Sequence, residues 1–164
     1  MKSKWSAFAA ILLLVALLLV TSGCATSNPA DAETKAIAVA FVKAVFVDRD
    51  CDAAMNMTSG VTTYGYVDRK AIESTIQDDI RKNCTTDPAS VDAGKVASGF
   101  KVPELTAADK ERGAVERIAW FVGSSYACTG TQNAPRTTVV ILDKANDKWT
   151  VSRTVLWYGV DYWD

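Results

Sequence analysis

No histidine occurs anywhere in the 164 residues. That absence removes the imidazole base on which Ser-His-Asp and Cys-His nucleophilic schemes depend. It also leaves any metal site to carboxylates and thiols. The chain has no Cys-x-x-Cys pair, no Gly-rich phosphate loop and no acidic calcium loop, so no metal and no cofactor is expected. Basic clusters are missing too. Lys plus Arg total 18 against 19 Asp plus Glu, a balance that gives no reason to expect a nucleic-acid partner. Nor is there a polybasic patch to add an electrostatic hold on anionic lipid. Internal repeats and low-complexity stretches are likewise absent.

What is present begins at the N-terminus. Lys2 and Lys4 precede an unbroken apolar run over 7–20. The run falls short of the roughly 20 apolar residues of a membrane span, and it ends in small residues, as an export signal does. The end reads Val20-Thr21-Ser22-Gly23-Cys24 and resembles a lipobox, with Thr21 where Leu is usual. The resemblance implies a signal peptide over 1–23, a lipidated Cys24 with a short linker over 24–28, and one domain over 29–164. Acyl chains of the palmitate class on Cys24, at about 0.8 kcal/mol per buried CH2, would hold that domain at the outer face of the cytoplasmic membrane. The blander readings are an ordinary cut near Ala25, or an uncleaved anchor. Losing Lys2 and Lys4 takes Lys plus Arg from 18 to 16 against 19 acidic residues, so the mature chain is mildly acidic.

Asn28-Pro29-Ala30-Asp31 reads as a helix start, with Asn28 as N-cap, Pro29 at the first helical position and Asp31 at the positive end of the dipole. Ile37, Phe41 and Val45 recur at helical spacing through 32–47. A second short helix is expected over 52–57 with Asp52 as its cap. A third runs over 68–82, capped by Asp68, with a stripe of Ala71, Ile72, Thr75, Ile76, Asp79 and Ile80. Residues 60–67 and 91–102 read as extended and 106–112 as a solvated turn. A long strand over 114–128 with a bulge at Gly123 follows, then strands over 136–142 and 148–157 joined by a polar turn at 143–147. Helices followed by antiparallel strands make an α+β fold, N-terminal helices on a curved antiparallel sheet. Ile37, Phe41 and Val45 are expected against Trp120, Ile141 and Val151.

Two side-chain groups stand out as candidate sites. Tyr64, Tyr66 and Asp68 are the nearest approach to an acid–base constellation, although an edge strand leading into a helix cap explains them as well. Glu104, Asp109, Glu111 and Glu116 read as surface charges. Trp120 and Phe121, adjacent on a strand, must point to opposite faces. The tail carries Trp157, Tyr158, Tyr162 and Trp163 in a short end. It either packs on the sheet edge or presents an aromatic surface to a partner, since Trp and Tyr suit wet interfaces. Beyond Cys24, the thiols of Cys51, Cys84 and Cys128 allow one disulfide with one left over.

Two stretches resemble the nuclear-transport-factor-2-like superfamily, a cone-shaped (cystatin-like) α+β fold, and its small bacterial lipoprotein members in particular. The first is Ala40-Phe41-Val42-Lys43-Ala44-Val45-Phe46-Val47-Asp48-Arg49-Asp50 with Ala53-Ala54-Met55-Asn56-Met57-Thr58-Ser59, similar to that family's opening helix, acidic turn and second helix. The second is Val139-Val140-Ile141-Leu142-Asp143 with Asp147-Lys148-Trp149-Thr150-Val151, similar to its final hairpin. In such a fold the turn after the first helix and the end of the third helix lie together, which implies a Cys51–Cys84 bond with Cys128 a buried free thiol. Enzymes of the superfamily pair His or Tyr with Asp. The missing histidine leaves only the Tyr–Asp option, for a dehydratase, isomerase or hydrolase acting on a small molecule in the cone. The leading expectation is a binding or interaction domain without catalytic residues, meeting the membrane through Cys24 and an envelope protein or a small apolar ligand through its fold.

Overall fold

The computed structural model describes residues 29–60, 67–95, 100–130 and 133–157, with only the backbone of Pro29, Lys95, Leu156 and Trp157. The chain divides into Met1–Ala32 and Glu33–Asp164. Of the first unit only the opening helical turn is described, so the expected cap at Asn28 lies outside the described residues.

Helix α1 (Pro29–Lys43) runs into a single wider π turn, Ala44–Asp48. Arg49 then adopts a left-handed conformation (φ 55°), and its N–H and that of Asp50 converge on the Ala44 carbonyl, satisfying helix-end acceptors that would otherwise be orphaned. Asp50 at once caps helix α2 (Cys51–Asn56), its carboxylate accepting from the Ala53 N–H at 2.9 Å. The expected cap, Asp52, sits instead in the first turn, where it binds Arg69 at 2.7 Å. Helix α3 (Arg69–Arg81) starts as expected, with Asp68 accepting from Ala71 N–H at 2.7 Å.

The strands are β1 (Thr85–Thr86), β2 (Asp92–Lys95), β3 (Ala114–Ala127), β4 (Ala134–Ala145) and β5 (Lys148–Trp157). A short helix, α4 (Ala107–Glu111), precedes β3. The antiparallel sheet runs β1-β3-β4-β5, and β2 shares the β3 edge with β1. It curls strongly into a half-barrel, so the α+β arrangement of N-terminal helices on a curved antiparallel sheet holds. The β4–β5 loop narrows to Asn146-Asp147, both at positive φ (51° and 60°). That is the two-residue turn whose twist matches the flanking strands, and Asn and Asp tolerate it. Gly123 stays in register opposite Thr137, and the irregularity in β3 falls between Ala114 and Glu116, which turns Val115 out to solvent (74% exposed). At the far edge, Val151 donates to Met57 and accepts from Ser59, joining the end of α2 to β5. The segment 61–66 lies outside the described residues, so the extended reading of 60–67 meets structure only at its two ends.

The sheet's two faces are unequal. Phe41, Val42, Val45 and Phe46 pack with Trp120, Val122, Val140, Leu142, Trp149 and Val151 in one buried cluster, with Ile37 half-buried at its margin. Trp120 also donates its indole N–H to Thr34 at 3.0 Å, so the burial leaves no orphaned donor. Full burial of each large apolar side chain is worth roughly 1.5–3 kcal/mol. Ile141 was expected here, but strand periodicity sends it to the opposite face, and Leu142 takes the place. On the outer face Ala119, Val139 and Ile141 form a smaller cluster with Phe100, Val102 and Phe121. Phe121, required to point away from Trp120, meets Phe100 edge-on with ring centroids 5.4 Å apart.

The disulfide differs from expectation. Cys84 bonds to Cys128, and Cys51 is free. Register explains it: Thr85 lies opposite Ala127 in the β1–β3 pair, so the next position along each strand brings Cys84 opposite Cys128. The Cys51 thiol lies 3.9 Å from the Arg69 carbonyl at the start of α3. Cys84 lies beyond that helix's other end, and the 13 residues of α3 span about 20 Å.

Candidate functional site

Two buried ionic clusters occupy the sheet, one on each face. On the helix-facing side β3 contributes Ser124 and Tyr126, and β4 contributes Arg136 and Thr138, beyond the apolar positions of the same strands. Ser124 and Arg136 are direct cross-strand partners. Helix α3 brings Asp79 to them. Its spacing from Ile72 and Ile76 places Asp79 on the buried face of the helix, so this residue of the expected apolar stripe is an ionic partner. Arg136 donates through Nη1 and Nη2 to the two carboxylate oxygens of Asp79, at 2.9 and 3.1 Å. Its guanidinium is also flanked by the Phe46 and Tyr126 rings, 4.1 and 4.2 Å from its carbon. A cation removed from water to 2% exposure would be prohibitively costly alone. The planar fork, a bidentate carboxylate and two aromatic rings compensate it.

A cavity of about 410 Å³ opens beside this pair, lined by Asp79, Lys82, Tyr126, Thr129, Ala134 and Arg136 together with the Cys84–Cys128 disulfide. Its volume is at the small end of the range for ligand sites. The hydroxyls of Thr86, Ser124 and Thr138, on the same sheet face, have no hydrogen-bond partner among the described residues. Buried polar groups of that kind are uncommon. Asp79 serves here as the counter-ion of Arg136, a different task from that of a general base poised for proton transfer.

On the outer face the hub is Asp109, fully buried. Thr106 and Asp109 form a capping box: Thr106 receives the Asp109 N–H, and the carboxylate receives the Thr106 N–H at 2.8 Å. The same carboxylate binds Arg112 at 2.6 Å, Arg117 at 3.0 Å and Arg153 at 3.4 Å. Arg117 also grips Asp143 through Nε and Nη2, at 2.6 and 2.7 Å, and donates to the Glu104 carbonyl at 2.9 Å. The hydrogen bond to Asp143 raises the Arg117 pKa, against the opposing effect of burial. The segment expected as a solvated turn is thus pinned to the outer face of β3, β4 and β5, and Asp109 is no surface charge. A second opening of about 370 Å³ lies between this network and the β4–β5 turn.

The other expected sites fall as follows. Asp68 is a helix cap, and Tyr64 and Tyr66 lie outside the described residues. Trp157 ends β5, whereas Cys24, Tyr158, Tyr162 and Trp163 lie outside them. The free Cys51 thiol has its pKa raised, chiefly by burial and partly opposed by Arg69, the reverse of what a nucleophilic thiolate needs. No group of three or more metal-ligating side chains occurs among the described residues. Neither does a helix long and apolar enough to cross a membrane. Comparison with protein-family models, with curated proteins and with solved structures finds no match.

Proposed function

We propose that this chain is an exported lipoprotein, held by acyl chains on Cys24 at the outer face of the cytoplasmic membrane, whose domain works by binding. The observation that carries the binding part is the filled interior. Phe41, Val45 and Phe46 of the first helix and its π turn occupy the helix-facing side of the curled sheet, and the carboxylate at its polar end is engaged by Arg136 through both oxygens. The Cys84–Cys128 disulfide fits an oxidising, exported location. The order of elements and the curled sheet fit a cone of the nuclear-transport-factor-2-like kind.

The favoured partner is an envelope protein, met at the membrane surface through the aromatic end of the chain, Trp157, Tyr158, Tyr162 and Trp163. Affinity capture from detergent-solubilised membranes tests it, with the full chain and with a chain lacking residues 158–164. Repeated recovery of one envelope protein by the full chain, lost on truncation without loss of folding, supports the reading. Equal recovery by both chains removes the tail from it. A second reading, a small-molecule binder or Tyr–Asp enzyme, draws on the cavity beside Asp79, Tyr126 and Arg136. A metabolite co-purifying with the folded domain, and no protein, would favour that alternative.

A further inference from the structure

The wall of the cavity beside Arg136 is a seam between two strand ends. One side is the stretch from Lys82 to Thr86, the other is Cys128 and Thr129 at the end of β3. Three links cross it: the Cys84–Cys128 disulfide, the Thr129 N–H to the Lys82 carbonyl at 3.3 Å, and the Asn83 side-chain amide to the Thr129 hydroxyl at 2.9 Å. The strand behind the seam is minimal. β1 pairs with β3 over two residues only, Thr85 and Thr86, and the Thr86 hydroxyl is buried without a partner among the described residues. Links outside the seam anchor both flanks. Asp79 holds the end of α3 to Arg136 at 2.9 Å, and beyond β1 the Asp87 N–H donates to the Ser125 carbonyl at 3.0 Å. Between these anchors the Cys84 N–H donates to the Asp79 carbonyl at 2.8 Å and Arg49 donates to the Cys84 carbonyl, which ties the stretch to the helix side. Toward the end of β3 the disulfide is the covalent link that holds it closed.

We propose that the Cys84–Cys128 disulfide is a redox latch on this cavity: its reduction frees residues 82–86 locally and opens the wall beside Asp79 and Arg136, while α1 and the β3–β5 meander stay folded. The reductant is a dithiol. Its thiolate attacks the sulfur of Cys128, which is the less buried of the two cysteines. The Cys84–Cys128 bond breaks, and Cys84 leaves as a thiolate that takes up a proton. The second thiol of the reductant then displaces Cys128 from the mixed disulfide, so two electrons and two protons pass to the protein and the dithiol leaves oxidised.

The test is amide hydrogen exchange on the full chain in detergent, oxidised and after treatment with dithiothreitol, with the double variant Cys84→Ala/Cys128→Ala alongside. Exchange at Cys84, Thr85 and Thr129 is expected to rise at least tenfold on reduction, while Ala119–Val122 and Val139–Leu142 keep their oxidised rates. The double variant should match the reduced pattern and ignore dithiothreitol. Two results overturn the latch: a uniform rise across β3, β4 and β5, which makes the disulfide a support of the whole fold, or unchanged exchange at 82–86. If the double variant fails to fold while the reduced protein keeps its core protection, the reduced protein decides alone.

Discussion

Asp79 and Arg136 offer the sharpest quantitative test of how the two layers are joined. The side chains are 5% and 2% exposed and meet in a bidentate contact. Asp79→Ala strands a guanidinium between Phe46 and Tyr126 with no carboxylate to answer it. Breaking a buried pair from one side costs about 3–5 kcal/mol, a large share of the roughly 5–15 kcal/mol that stabilises a domain. Arg136→Met strands the carboxylate and should cost a similar amount. Replacing both, Asp79→Leu with Arg136→Met, removes two desolvation penalties along with one attraction. The double variant should lie far above the sum of the singles, near the parent or up to about 4 kcal/mol more stable. Urea unfolding measures all four proteins, and an unchanged slope with denaturant confirms that midpoint shifts report stability. Heating gives the same order, with each single variant melting roughly 10–15 °C lower. Single losses below about 1 kcal/mol, the range of exposed ion pairs, would instead place this pair in water and rule out a buried contact.

Three further outcomes follow from the packing and the ionic contacts. Phe41→Ala should destabilise the domain by about 3–5 kcal/mol in urea unfolding, since the ring is fully enclosed in the main core cluster. Asp109→Ala should cost about 3 kcal/mol and make residues 100–113 newly sensitive to limited proteolysis, because the capping box and three arginine contacts share that carboxylate. Asp92 should titrate below the usual carboxylate range, held there first by the hydrogen bond from Lys35 and then by the Ala93 N–H and the lysine charge. A folded pKa below the unfolded one means that this contribution is present above the unfolded value and fades as pH falls through the folded one. In a carboxyl NMR titration, Lys35→Ala should move the Asp92 midpoint upward.

Much of the fold could be read from the residues. Apolar spacing located α1 and α3, and Asp68 marked the start of α3. Alternation located β3, β4 and β5, with a polar turn between the last two. The misreadings share a cause. Asp79 and Arg136 are single charges inside apolar patterns, and only the packing of α3 on the sheet shows that they meet. Their spacing did carry a signal, since Asp79 follows Ile72 and Ile76 on one helical face and Arg136 alternates with Thr138, Val140 and Leu142. Thr106-x-x-Asp109 likewise has the form of a capping box, which would have turned the loop into a short helix. Of its three arginine partners Arg112 is a local i,i+3 neighbour, whereas Arg117 and Arg153 come from β3 and β5 and left no local trace. The Cys84–Cys128 pairing depends on strand register between β1 and β3, a relation across more than 40 positions that no local pattern encodes.

In the proposed function, a lipid on Cys24 decides where the domain works. Metabolic labelling of cells with an alkyne-bearing fatty acid, followed by recovery of the full chain, tests it most directly. Label is expected on the wild-type chain, held in the membrane fraction, and none on Cys24→Ala, which should be released or remain as uncut precursor. An unlabelled wild-type chain, or a Cys24→Ala chain that keeps its label, would contradict it.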